Sequence, residues 1–153
     1  MHGIEKTDMH LIGLQLESKT SNLNGKANID CGKLWHRFES EGILTKIKDR
    51  LNEDIIAVYY DYEGDYTEPY SYFIGCEVPY GTEVPTGLSQ MTIKNGQYRR
   101  FIAKGKMPDC IGDVWQLIWG TKLERAYKND FEVYGVKSKD WENAEVEVFV
   151  GVK

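Results

Sequence analysis

Two stretches of this chain, about 8–80 and 86–153, spell the same order of elements: strand, amphipathic helix, strand, strand. That duplication limits the fold more than any single motif. Strands that return antiparallel, broken by one helix per half, give an α+β architecture with the helices laid on a sheet. In the first half, Met9–Glu17 mixes alternation with a short apolar run and reads as a strand. Asp30 is placed to cap a helix over Cys31–Ser40, in which Leu34, Trp35 and Phe38 share one face. Gly42 punctuates, and Ile43–Leu51 continues as a helical or irregular piece. Ile55–Tyr62 is β-branched and aromatic, and a turn at Gly64-Asp65 leads to the return strand Tyr70–Val78.

The second half repeats that order behind one additional leading strand. Thr86–Ile93 and Gln97–Lys104 are expected as strands of a hairpin, because the intervening Lys94-Asn95-Gly96 carries an Asn-Gly turn signal. Pro108-Asp109 opens a second helix, with Asp109 as N-cap and Ile111, Val114, Trp115, Ile118 and Trp119 as its apolar face. Asp130–Val136 and Ala144–Val152 complete the unit, joined through Lys137–Asn143. The halves match in element order, with a tryptophan-bearing helix in each (Trp35 and Trp115), and not in residue identity. The expectation is one domain over residues 1–153 built from two pseudo-repeats, with a cleft at their join.

Composition narrows the function. A net charge of −5 argues against a nucleic-acid footprint, which needs a concentrated basic face. Arg99-Arg100 with Lys94, Lys104 and Lys106 form one local basic cluster, and it suits a solvated edge strand. Cys31, Cys76 and Cys110 are odd in number and widely spaced, as buried thiols in a reducing cytosol would be. No apolar run approaches the roughly 18 residues of a membrane span. His2, Glu5, Lys6 and Asp8 interrupt the N-terminus where a secretory segment would be apolar. The chain therefore reads as soluble and cytoplasmic. His2, His10 and His36 have no metal spacing, and no phosphate loop, dinucleotide fingerprint or nucleophile elbow occurs, so no cofactor is expected.

The positive signal is aromatic: ten Tyr, four Trp and five Phe, with Tyr59, Tyr60, Tyr62, Tyr66, Tyr70 and Tyr72 crowded into one expected hairpin. Near the other end lies Asp130-Phe131-Glu132-Val133-Tyr134. Alternation puts Phe131 and Val133 on one face of that strand, and Glu132 and Tyr134 on the other. A carboxylate beside a phenol and close to two indoles, Trp115 and Trp119, suits a flat organic cation. A buried carboxylate is costly unless partnered, so an empty site should hold Glu132 by hydrogen bonds or waters.

Seven blocks taken together carry a family resemblance. They are Leu34-Trp35-His36-Arg37-Phe38, Ala57-Val58-Tyr59-Tyr60-Asp61-Tyr62-Glu63, Ile74-Gly75-Cys76-Glu77-Val78, Tyr98-Arg99-Arg100-Phe101 with Gly105, Val114-Trp115-Gln116-Leu117-Ile118-Trp119, the Asp130–Tyr134 strand, and Val146-Glu147-Val148-Phe149-Val150. In this order and spacing the chain resembles the GyrI-like, AraC-type effector-binding family, in particular stand-alone members akin to integron-associated effector-binding proteins. The resemblance implies duplicated β-α-β-β units forming a curved antiparallel sheet, two main helices and a central cleft. It also implies an acidic residue on the strand after the second helix that meets cationic, drug-like ligands among aromatic rings. Here that position is Glu132, with Tyr134, Trp115 and Trp119 beside it and Tyr72 and Trp35 from the other half.

The leading expectation is a small-molecule binding protein for amphipathic, cationic aromatic ligands, linked to transcriptional regulation or drug resistance. Some relatives hydrolyse reactive small molecules, which makes Glu132 with Tyr134 or Tyr72 an alternative acid–tyrosine pair. A third option is a regulator that docks on a protein partner or a second copy. No helix-turn-helix pattern flanks the blocks, which points away from direct nucleic-acid contact.

Overall fold

The computed structural model describes residues 3–153; His2 lies outside them. Its eight strands are β1 (Ile4–Lys6), β2 (Met9–Gln15), β3 (Ile55–Tyr60), β4 (Ser71–Glu77), β5 (Ser89–Ile93), β6 (Gly96–Gly105), β7 (Arg125–Tyr134) and β8 (Ala144–Val152). Its helices are α1 (Lys26–Ser40), the single turn α2 (Ile43–Lys46) and α3 (Asp109–Gly120). The strands form one sheet in the order β1-β6-β8-β7-β3-β4-β2-β5, every pairing antiparallel. The α+β class and the curled antiparallel sheet are as expected.

The hairpin at Asn95-Gly96 does not form. β5 pairs with β2, whereas β6 pairs with β1 and β8. Lys6 stands opposite Gly96, and Met9 stands opposite Ile93, so one register runs through both ladders. β1–β2 and β5–β6 are thus two long strands bent together, and the bent ribbon joins the two ends of the sheet. The chain passes through the Asn-Gly pair without reversing, and the Asn95 N–H donates to Asp8 Oδ1 at 2.7 Å across the bend. Ladder pairing over both arms outweighs a local turn preference.

A second device for the curl is the directly opposed pair Gly13 and Gly75 between β2 and β4. A Cβ on Gly75 would lie 2.4 Å from the Ile12 carbonyl oxygen, and one on Gly13 would lie 1.9 Å from that of Ile74. Only glycine allows this approach of two backbones.

Helix starts differ in detail from the sequence expectation. α1 begins at Lys26 behind Gly25, whose φ of 70° is left-handed, so Asp30 sits inside the helix. Its carboxylate pairs with Lys26 one turn back at 2.5 Å instead of capping. Asp109 is the first helical residue of α3, behind Pro108, and makes no side-chain cap. Its charge still suits the positive end of the helix dipole. β3 stops at Tyr60 because Asp61 takes a left-handed φ of 53°, which turns Tyr62 out of the ladder.

Both main helices lie on one face of the sheet. α1 and α2 pack Leu34, Phe38 and Ile43 on Ile12, Ala57 and Ile74, and α3 packs Val114, Trp115 and Ile118 on Ala103, Val146 and Val148. The opposite face closes over Ile56, Val58, Phe73, Phe131 and Phe149. β3 and β7 are the central strands, so the gap between the helices has them as its floor.

Candidate functional site

Glu132 stands at the middle of that floor, directly opposite Ala57 on β3 and Val148 on β8. The small Ala57 leaves room beside the carboxylate, which is only 1% exposed. The expected alternation holds: Phe131 and Val133 join the cluster on the far face, while Glu132 and Tyr134 face the helices. Above them opens a cleft of about 1210 Å³ between α1 and α3.

Three neutral donors hold the acid. The Tyr134 hydroxyl donates to Oε1 at 2.6 Å, while the Trp115 indole N–H and the Tyr59 hydroxyl donate to Oε2 at 2.6 and 2.8 Å. Burial pushes the Glu132 carboxyl above its ordinary value, and these three hydrogen bonds pull it partly back. Burial, with the neighbouring carboxylate, also holds the Tyr59 and Tyr134 phenols well above theirs. No Lys, Arg or His among the described residues forms an ion pair with Glu132. Among the described residues the carboxylate is therefore held by neutral dipoles alone, with no cationic partner.

The rings around it form a wall. Trp35 meets Tyr134 edge-on at 4.9 Å and donates its indole N–H to the Tyr72 hydroxyl at 2.8 Å. Tyr59 fills the centre, 5.0 Å from Tyr72 and 5.1 Å from Trp115. Trp119 lies farther out, half-buried, stacked on Tyr66 at 5.2 Å with only 9° between the planes.

The six residues singled out in the sequence, Glu132, Tyr134, Trp115, Trp119, Tyr72 and Trp35, all line this cleft. Trp115 is both core and wall: it packs against Val146 and Val148 from α3 and donates to the acid. Tyr72 makes no hydrogen bond to Glu132; its hydroxyl accepts from the Trp35 indole N–H. Tyr59 makes the contact instead. Nothing in the run of six tyrosines distinguished it, because the β3–β7 register decides which one faces the acid.

Sequence reasoning also missed a buried ion pair beside the cleft. Arg125 Nη2 donates to Asp130 Oδ2 at 2.6 Å, with side-chain exposures of 5% and 0%. Asp130 accepts further bonds from the Tyr62 hydroxyl and from the Gly151 N–H. Burial pushes the Asp130 carboxyl up, and the guanidinium and other donors oppose that. The pair is closed by a bulge in β7 between Arg125 and Asp130, which no periodicity announces.

Among the described residues no group of three His, Cys, Asp or Glu side chains is arranged to hold a metal, and no helix is long and apolar enough to cross a membrane. The three cysteines are free thiols, with Cys31 half-buried in the cleft wall and Cys76 and Cys110 buried.

The pattern of the integron-associated effector binding proteins, Cass2, matches residues 4–152. The chain belongs to that family. Among curated proteins it is 24% identical over 124 residues to YobU of Bacillus subtilis (strain 168), a protein named as a transcriptional regulator, with 79% of this chain and 76% of YobU covered. An integron cassette protein from the mobile metagenome of Vibrio cholerae superimposes with a TM-score of 0.75 at 24% identity, covering 99% of this chain and 94% of that one. SAV2435, solved bound to tetraphenylphosphonium, superimposes with a TM-score of 0.78 at 18% identity, covering 100% and 94%. At these identities the structural likeness is one of fold. Membership in an effector-binding family makes this a small-molecule-binding protein.

Proposed function

We propose that the cleft captures amphipathic organic cations, with Glu132 as charge partner and the surrounding rings as the apolar wall. One observation carries this reading: a fully buried carboxylate, held by three neutral donors, lies at the bottom of an aromatic cleft with no counter-ion among the described residues. A cation entering the cleft completes the charge balance that the fold leaves open, and Trp115, Tyr59 and Tyr134 add cation–π and dispersion contact. That a member of the same fold group was solved with tetraphenylphosphonium, an aromatic cation, supports the choice. Calorimetric titration with N-methyl-4-phenylpyridinium and its uncharged isostere 4-methylbiphenyl tests it. The cation should bind more tightly, and equal affinities would reject the reading.

The acid–tyrosine pairing of Glu132 with Tyr134 is also the geometry a hydrolase would use. Two features weigh against it. Three donors already occupy the carboxylate, and a phenol whose pKa is raised by burial gives up its proton poorly.

We further infer that residues 8–80 and 86–153 act as two repeats that each contribute one wall of the site. Any regulatory read-out, as the name of YobU suggests, would pass through a protein partner or second copy and not through nucleic acid. The basic residues of β6 support this, since Arg100 and Lys104 are paired with Glu147 and Glu145 of β8. The free thiols suit a cytoplasmic setting.

A further inference from the structure

Arg125 has a hydrogen-bonding capacity that the ion pair does not use. Its side chain is 5% exposed, and Nη2 alone is engaged, on Asp130. Nε and Nη1 are buried and find no acceptor among the described residues. Buried donors are rarely left this way, and each one lacking an acceptor is a standing penalty on the fold.

The residue lines the same cleft as Glu132. Its guanidinium carbon lies 5.9 Å from the centre of the Trp115 ring, and the indole N–H of that ring is 2.6 Å from Glu132 Oε2. A single tryptophan therefore separates a carboxylate without a counter-ion from a guanidinium with idle donors. The Tyr127 ring also packs on the guanidinium, with its centre 4.3 Å away. The β7 bulge carries it there, and its φ of 52° is a left-handed conformation rare for a tyrosine. Bulges of this kind re-aim side chains beside binding sites.

We propose that Arg125 is a second subsite of the cleft, which takes a neutral hydrogen-bond acceptor on the far end of the ligand. The proposal rests on the cation reading for Glu132 and adds to it the class of molecule: an aromatic cation bearing a carbonyl, amide or phosphoryl oxygen. A neutral acceptor fits better than an anion, because Asp130 already balances the guanidinium and would repel a second negative charge at 2.6 Å from Nη2. What the site lacks is lone pairs, not charge. Such a ligand would lie along Trp115, its cationic centre toward Glu132 and its oxygen toward Nε and Nη1, with Tyr127 displaced or closing behind it.

Calorimetry with three probes on the full chain tests this: tetraphenylphosphonium, (4-carbamoylphenyl)triphenylphosphonium and the neutral amide benzanilide. Wild type should bind the carbamoyl cation about tenfold more tightly than the parent, the gain from one well-placed hydrogen bond to a charged donor. Arg125→Lys keeps the charge opposite Asp130 and removes the guanidinium fork. It should lose the tenfold preference, the two cations then binding it with equal affinity. Glu132→Gln should weaken both cations alike and keep their ratio.

The Nε–H resonance of Arg125 in the ¹⁵N-labelled wild type gives a second readout, independent of whether the Lys variant folds. It should move with the carbamoyl cation and with benzanilide, and stay in place with tetraphenylphosphonium. Equal affinities of the two cations for wild type, a preference that survives in Arg125→Lys, or an unmoved Nε–H resonance would each overturn the subsite. An unmoved resonance is also what a permanently bound water on these donors would give. If tetraphenylphosphonium fails to bind while benzanilide still moves the resonance, the cation reading falls and the Arg125 subsite stands.

Discussion

Replacing Glu132 with Gln changes charge at the centre of the cleft while leaving shape and hydrogen bonding nearly intact. The Trp115 indole can only donate, so the amide oxygen of Gln must take the place of Oε2, where it also accepts from Tyr59. The amide NH₂ then faces the Tyr134 hydroxyl, which rotates from donor to acceptor. All three contacts remain hydrogen bonds, with the Tyr134 proton and the second amide N–H turned toward the cleft, so the variant should fold. It should melt no lower than wild type, because burial already disfavours the charged form of this carboxyl. The loss appears in binding. A cation about 5 Å from the carboxylate, at an effective dielectric of about 20, gains roughly 3 kcal/mol of Coulomb energy. Charge-assisted hydrogen bonds give a similar range, about 1.5–3 kcal/mol. The dissociation constant of N-methyl-4-phenylpyridinium should therefore rise roughly 10- to 140-fold. That of 4-methylbiphenyl should barely move. Titration calorimetry on wild type and Glu132→Gln, with thermal melts of both, measures each quantity. Equal losses for the two ligands would refute the charge assignment, and a large drop in melting temperature would refute the claim that the hydrogen-bond network tolerates the amide.

Because the Glu132 pKa is raised, cation affinity should fall on acidification with a midpoint above the ordinary value of 4.5, and binding in that window should release a proton, seen as buffer-dependent enthalpy in calorimetry. For the ligand-free fold the sign is opposite to that of an ion-paired acid: stability falls as pH rises from 4.5 through the raised value, and the difference between wild type and Glu132→Gln isolates this effect in pH-dependent melts. Trp119→Ala should weaken aromatic ligands with little change in melting temperature, since the ring is half-buried against Tyr66; Trp115→Ala should destabilise by about 3–5 kcal/mol, because it empties core volume and strips a donor from Glu132. A melt of each variant without ligand separates the two roles. Gly75→Ala places a methyl 2.4 Å from the Ile12 carbonyl oxygen, so denaturant unfolding should show a loss of about 1–3 kcal/mol, and an unchanged midpoint would mean that the sheet curl does not depend on this approach.

Which parts of the molecule could be read from its sequence follows from the range of the forces involved. The face assignment of Glu132 and Tyr134 needed only alternation within one strand, and β7 keeps that period where it crosses the floor. The two helix faces were legible for the same reason, since Leu34 and Phe38, or Val114 and Ile118, recur at helical spacing and are buried. The Asn95-Gly96 hairpin failed because a two-residue preference competed with a ladder spanning β1–β2 and β5–β6, whose partners are about ninety positions apart. Tyr59 and the Arg125–Asp130 pair were hidden differently. Each depends on which strand lies beside which, or on a bulge that shifts register, and neither leaves a local pattern.

The same geometry decides what the acid can do. A carboxylate offers about four lone-pair directions, and three of them here are spent on donors fixed by packed rings. A general base needs a free direction aimed at water and a partner that readily exchanges its proton. Glu132 keeps one direction, and its phenol partners hold their protons tightly. An electrostatic role requires neither. It requires a charge that stays put, lies at the floor of a cavity and is surrounded by surfaces that a flat cation can cover, and β7 supplies the charge while α1 and α3 supply the surfaces. On the proposed reading, the donors that would hobble catalysis are the ones that preorganise binding, because a ligand arriving at Glu132 would meet a carboxylate already oriented and already stripped of bulk water.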